Sequence, residues 1–131
     1  MLSPIIACVD PYETAELYKA AGWRIDFSSP PESGDSLVEV SLYDNSVLLG
    51  VTEGYVDGKD IPSIGNGVVY YITVPMPVLK QVHEDHRAFF PTDICKKPWG
   101  DTVFEVAIAG HRYMIAGQID CCGVAAGGSL F

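Results

Sequence analysis

The chain has 131 residues, 48% of them apolar, which is enough for one cored domain and too apolar for disorder. Its net charge of −9 sets up a field that repels nucleic acid phosphates and anionic lipid, so neither is an expected partner. No apolar run approaches the roughly 20 residues that span a bilayer, and the N-terminus has no basic flank or small-residue cleavage site, so a cytoplasmic protein is expected.

Pro4 to Val9 reads as a strand. Asp10 is placed to cap a helix with Pro11 at its first position. Ala15, Leu17, Tyr18 and Ala21 then recur at helical spacing until Gly22. Trp23 to Phe27 reads as a short strand with Trp23, Ile25 and Phe27 on one face. Ser28 to Asp35 is a loop. Leu37 to Leu42 and Val47 to Val51 form a hairpin around Asp44-Asn45. Residues 53–67, rich in Gly and acids, form a linker. Val68 to Val74 is the next strand, Pro77 to about Phe89 a helix, and Thr92 to Lys96 a weak strand. Thr102 to Ile108 and Arg112 to Ala116 close the pattern with a hairpin about Gly110, and residues 118–131 form a tail.

The second half repeats the pattern of the first. At an offset of 66 residues, Ser36 to Val51 lies over Thr102 to Gly117, with Glu39/Glu105 and Val40/Val106 identical. Ile5 to Val9 lies over Tyr70 to Val74 at nearly the same offset. A period this long marks a duplicated module rather than a solenoid. The predicted organisation is one α+β domain with a first βαβββ module at 3–52 and a second at 68–117. Charge is unequal between the halves: residues 1–66 hold 11 acids and 3 bases, residues 67–131 hold 6 and 5.

Candidate chemistry is sparse. Cys8 reads as a small core residue, and Cys121-Cys122 lacks zinc-site spacing. His83 and His86 lie on one face of a polar helix that reads as solvated, and His111 in the closing turn is expected to meet solvent. Glu39 and Glu105 sit between apolar neighbours, as an acid–base pair or as polar-face residues. No nucleophile triad or phosphate-binding glycine loop is present.

A twice-repeated βαβββ module resembles the vicinal oxygen chelate superfamily, which includes glyoxalase I, extradiol dioxygenases and bleomycin resistance proteins. Asp10 with Leu17-Tyr18-Lys19-Ala20-Ala21-Gly22-Trp23 is similar to that family's first-helix signature. Pro98-Trp99-Gly100 with Phe104 and Gly110 resembles a segment of the bleomycin resistance branch. Of the Asp-Pro-x-Gly-Asn stretch usual before the last strand, only Gly110 is kept. The resemblance implies a half-open barrel and a homodimer that exchanges modules. It also implies that Ser3, Leu48, Val69 and Met114 stand where the superfamily's enzymes carry metal ligands, and converge there. Those residues are poor ligands for the cations concerned, so no metal and no cofactor is expected.

Strand alternation sets Leu37, Glu39, Ser41 and Val103, Glu105, Ala107 opposite the more apolar faces. Leu48, Tyr71 and Met114 join the cavity side through the ligand-position mapping, and Phe27, Tyr55 and Trp99 are expected at its rim. Such a cleft suits a planar or cationic small molecule. Three functions follow as expectations: sequestration of a bleomycin-type antibiotic without turnover; a metal-dependent glyoxalase- or dioxygenase-type enzyme acting on a small metabolite; and an interaction module working through the tail or the linker. The first fits the residues best.

Overall fold

The computed structural model describes residues 2–52 and 56–119. Tyr55, Cys121-Cys122 and most of the tail lie outside them. The first module comprises β1 (Ile5–Cys8), α1 (Pro11–Ala20), β2 (Arg24–Ser28), β3 (Leu37–Leu42) and β4 (Asn45–Val51). The second comprises β5 (Val69–Pro75), α2 (Leu79–Asp85), β6 (Cys95–Lys96), β7 (Thr102–Ile108) and β8 (His111–Gln118). Each builds a four-stranded sheet of the same plan, ordered β1-β4-β3-β2 and β5-β8-β7-β6. In each, one parallel pair sits beside antiparallel neighbours. The α+β class and the duplicated βαβββ pattern are those read from the sequence.

Local chemistry fixes the first helix. The Asp10 carboxylate accepts from the backbone N–H of Tyr12 and Glu13, and Pro11 fills the first helical position. At the other end Gly22 takes φ +96°, and the N–H groups of Gly22 and Trp23 return to the carbonyls of Lys19 and Tyr18. This Schellman closure swings Trp23 back over the helix and into the core, where it is 3% exposed. Trp23 is therefore a helix-closing core residue, not a strand residue. Its predicted face-sharing with Phe27 fails for a second reason. The register of β2 against β3 slips between Ile25 and Phe27, and this bulge turns Phe27 to the opposite face, 51% exposed.

The long second helix predicted from Pro77 to Phe89 is broken into a 3-10 turn at Met76–Val78, α2, and another turn at Arg87–Phe89. Pro75 and Pro77 withhold N–H groups at its start, and Phe90 at φ +56° ends it. The predicted weak strand shrinks to two residues, Cys95–Lys96. The closing hairpin turns on Ala109-Gly110, both at positive φ, as a two-residue primed turn requires.

The two modules share a single core. Ile6, Val38, Val40, Leu42 and Leu49 from the first sheet's inner face join Ile72, Val74, Phe104, Val106 and Ile115 from the second's, with α1 and α2 packed among them. The join is aromatic and hydrogen-bonded. Tyr18 and Tyr113, both fully buried, share a hydroxyl hydrogen bond of 2.6 Å. Trp23 packs on Tyr113 with ring centroids 5.3 Å apart.

Two of the three histidines expected at the surface, His86 and His111, belong to this seam. His86 is fully buried; its Nε2 accepts the Trp23 indole N–H at 2.9 Å, so Nδ1 carries the proton and donates to the Val82 carbonyl. His111 is 4% exposed, and its Nε2 donates to the Ala7 carbonyl at 3.0 Å. Its Nδ1 has no partner among the described residues. Polarity alone suggested solvated rings. The seam needs polar partners for Trp23 and for the β1 edge, and histidine supplies them.

Candidate functional site

Since the inner faces of both sheets are consumed by one core, the candidate residues lie on the outer faces. The registers define one lateral row on each. On the first sheet Phe27, Glu39, Leu48 and Ile5 stand side by side across β2, β3, β4 and β1. On the second sheet the row is Glu105, Met114 and Tyr71 across β7, β8 and β5. Thr92 extends it: its N–H donates to the Glu105 carbonyl, and its hydroxyl accepts from the Glu105 N–H. The 66-residue offset maps Glu39 to Glu105 and Leu48 to Met114, and the registers place Ile5 over Tyr71, one residue beyond the Tyr70 expected from the first-strand alignment.

Within one chain these rows do not meet. Leu48 belongs to the first sheet, with Ser3 just ahead of β1, and Val69 and Met114 belong to the second; each outer face points away from the shared core. The four residues therefore divide between the two modules, a pair in each. Two modules cannot spend their inner faces on each other and also enclose a cavity with their outer ones.

The side chains around each row are specific. Leu37 and Leu48 are half-buried, while Ile5 is 60% exposed, a large apolar residue left open to solvent. Ser41 is buried rather than free to line a cleft, and its hydroxyl donates to Asp26 at 2.5 Å. Arg24 also approaches Asp26, at 3.4 Å. On the second sheet Tyr71 is 46% exposed and donates its hydroxyl to Asp101. Burial first, then the neighbouring Asp101 carboxylate, pushes the Tyr71 phenol up from its ordinary range. Trp99, at 60% exposed, stands in the same loop with Lys97 Nζ 6.0 Å from its ring centroid. Val103 is buried although it lies off the shared core, and Ala107 is exposed.

The four positions expected at metal-ligand places, Ser3, Leu48, Val69 and Met114, do not suit a divalent cation. Ser3 Oγ is 2.9 Å from Ser46 Oγ, and the other three side chains are two hydrocarbons and a thioether. Among the described residues no three His, Cys, Asp or Glu side chains lie together in a way that could hold a metal ion. A cleft of about 370 Å³ lies elsewhere, between α1, the 58–64 segment and the Ala109-Gly110 turn. None of the predicted ligand-binding residues lines it, and its Asp10 carboxylate is already used in capping α1. Cys8, also on its wall, is held as a neutral thiol: burial pushes it up to about 11.

Solved structures of this architecture exist. A bleomycin-binding protein complexed with bleomycin matches with a TM-score of 0.63 at 12% identity, over 90% of this chain and 98% of that one. A glyoxalase/bleomycin resistance protein/dioxygenase superfamily member from Sphaerobacter thermophilus matches at 0.65 and 16% identity, covering 90% and 97%. A lactoylglutathione lyase from Agrobacterium tumefaciens matches at 0.60 and 12% identity, covering 95% and 96%. No family model and no curated protein matches the sequence. The fold is therefore that of the glyoxalase/bleomycin resistance/dioxygenase class. It is the vicinal oxygen chelate fold, which hosts binders and enzymes alike.

Proposed function

We propose that this protein binds a planar or cationic small molecule of the bleomycin type stoichiometrically and without turnover, as a homodimer. In this reading the outer face of the first sheet in one protomer covers the outer face of the second sheet in its partner. Two clefts result, each walled by Phe27, Leu37, Glu39 and Leu48 on one side and by Tyr71, Trp99, Glu105 and Met114 on the other. The supporting observation is that Ile5, Phe27, Val69 and Tyr71 stand exposed on the two outer faces, beside Leu48 and Met114 at places where catalysis would need metal donors. Two solvated sheet faces of this composition are stabilised by a partner, and a sandwich of rings and carboxylates suits a flat cation.

Titration with bleomycin, following Trp99 emission, tests the reading. Saturation at one ligand per cleft, with unmodified ligand recovered afterwards, is the expected result. Stoichiometric divalent metal in the purified protein, with an activity lost on chelation, would replace it with the enzyme reading. Sedimentation that shows only monomer at micromolar concentration would remove the two-walled cleft.

A further inference from the structure

The duplicated rows differ in charge, and one position causes it. In the second module Arg112 Nη2 lies 3.8 Å from Glu105 Oε1, a diagonal cross-strand pair, since Arg112 faces Ala107, two residues along β7. The offset places Ser46 where Arg112 stands, with the same strand relationship to Glu39: Ser46 faces Ser41, two residues along β3. Ser46 carries no charge, and its hydroxyl is bonded to Ser3. Glu39 consequently has no ion pair among the described residues, whereas its duplicate is neutralised. The other acid on the first sheet's outer face, Asp26, is held by Ser41 and Arg24.

We infer that Glu39 is the specificity-determining carboxylate of the site and selects a ligand's positive charge, while the second module contributes its rings with their neighbouring charges already engaged, Glu105 by Arg112 and Asp101 by the Tyr71 hydroxyl. This rests on the binding function proposed above. Glu39 stands between Phe27 and Leu48, half-buried in an apolar row. A carboxylate there has fewer competing waters than one on an open surface, and a cation that also lies against the Phe27 ring gains from both groups. On the opposite wall a cation meets Arg112 beside Glu105, which offsets the attraction. The ligand class is an aromatic or amphipathic cation whose charge seats on the first module and whose planar part lies against Tyr71 and Trp99.

The swap of this one position makes the test. Ethidium, a planar cation, and bleomycin serve as probes, with a neutral polycyclic of similar size as control, at two ionic strengths. Glu39→Gln and Ser46→Arg are each expected to weaken cation binding about tenfold, with the effect shrinking at high salt. Glu105→Gln, which leaves the Arg112 cation unpaired, is expected to weaken it by only about threefold, and Arg112→Ser to tighten it about threefold. The neutral control should bind equally to all five proteins. Equal losses from Glu39→Gln and Glu105→Gln, or no loss from Ser46→Arg, overturn the inference while leaving the binding function standing. Absence of saturable binding by the unsubstituted protein overturns both.

Discussion

The two modules are built on the same strand registers and use them differently. Position by position, Ile5, Glu39, Ser46 and Leu48 of the first correspond to Tyr71, Glu105, Arg112 and Met114 of the second. The first row keeps a carboxylate with no ion pair among the described residues, between Phe27 and Leu48. The second pairs its carboxylate with Arg112 and sets it in a row with Met114 and Tyr71. The seam is equally asymmetric: the second module supplies both imidazoles, and the first supplies the indole and the carbonyl they bind. Inner-face alternation fixes the backbone plan, because a one-residue slip would expose the entire core side. Outer-face side chains are free to diverge on that fixed plan, and divergence there is where a duplicated fold acquires chemistry.

The sharpest way to break the comparison is to cut the seam. Trp23→Ala removes the ring that touches Tyr18, Tyr113 and His86, and should cost about 3–5 kcal/mol in urea unfolding. Trp23→Phe keeps most of the packing and leaves His86 Nε2 without its donor, for about 1–3 kcal/mol. A Trp23→Phe protein as unstable as Trp23→Ala would show that the hydrogen bond, not the ring, holds the modules together.

Acid should open the same seam. Burial lowers both His86 and His111 from their ordinary value of 6.5. Protonation would set a second N–H against the Trp23 donor, and would leave a charged, unpartnered N–H at His111 Nδ1. Among the groups near His86, the Asp85 carboxylate favours the charged form and His83 opposes it, but burial outweighs both. The unfolded chain therefore binds more protons than the folded one. The stability contributed by these two groups is complete above pH 6.5 and is lost as pH falls through it toward the lower folded values. The slope approaches about 2.7 kcal/mol per pH unit if both titrate. Urea midpoints from pH 7.5 to 5 check it; a flat profile would mean the two rings titrate alike folded and unfolded.

A smaller effect is expected where the 58–67 segment crosses onto the second module. Gly65 has φ +88°, and a Cβ there would lie 2.0 Å from the Gly110 carbonyl oxygen. Gly65→Ala should cost about 1–3 kcal/mol by thermal melting. Gly34, also at positive φ but with open space around it, isolates the backbone part of that cost. Least of all, Arg112→Ser should change stability by less than about 1 kcal/mol, because the Arg112–Glu105 pair is largely solvated. A larger loss would mean that the charge difference between the rows serves the fold rather than the ligand.

Much of the fold was legible in the chain itself. Asp10-Pro11 and Gly22 gave the ends of α1 because caps are set by local backbone groups. The alternation in Leu37–Leu42 and Thr102–Ile108 gave the faces of β3 and β7 because strand side chains alternate with a period of two. The repeat gave the pairing of Glu39 with Glu105. Less legible were Phe27, whose face depends on a bulge with no composition signal, and the break in the second helix, which Pro75 and Pro77 marked only in part. The charge state of the candidate site was missed although its signal was present, since Ser46 and Arg112 stand opposed under the same offset that aligns the glutamates.

What the sequence determined alone is therefore periodic or nearest-neighbour: helix caps, turn positions, strand faces and the duplication. Only the tertiary structure decided that the inner faces of both modules close on one core, that His86 and His111 are buried in it, and that the candidate residues form two separate outer walls. Those outcomes turn on which surfaces meet across long stretches of chain, 63 residues from Trp23 to His86 and 104 from Ala7 to His111. Burial and hydrogen-bond partners at that separation are set by packing, and no local pattern encodes them.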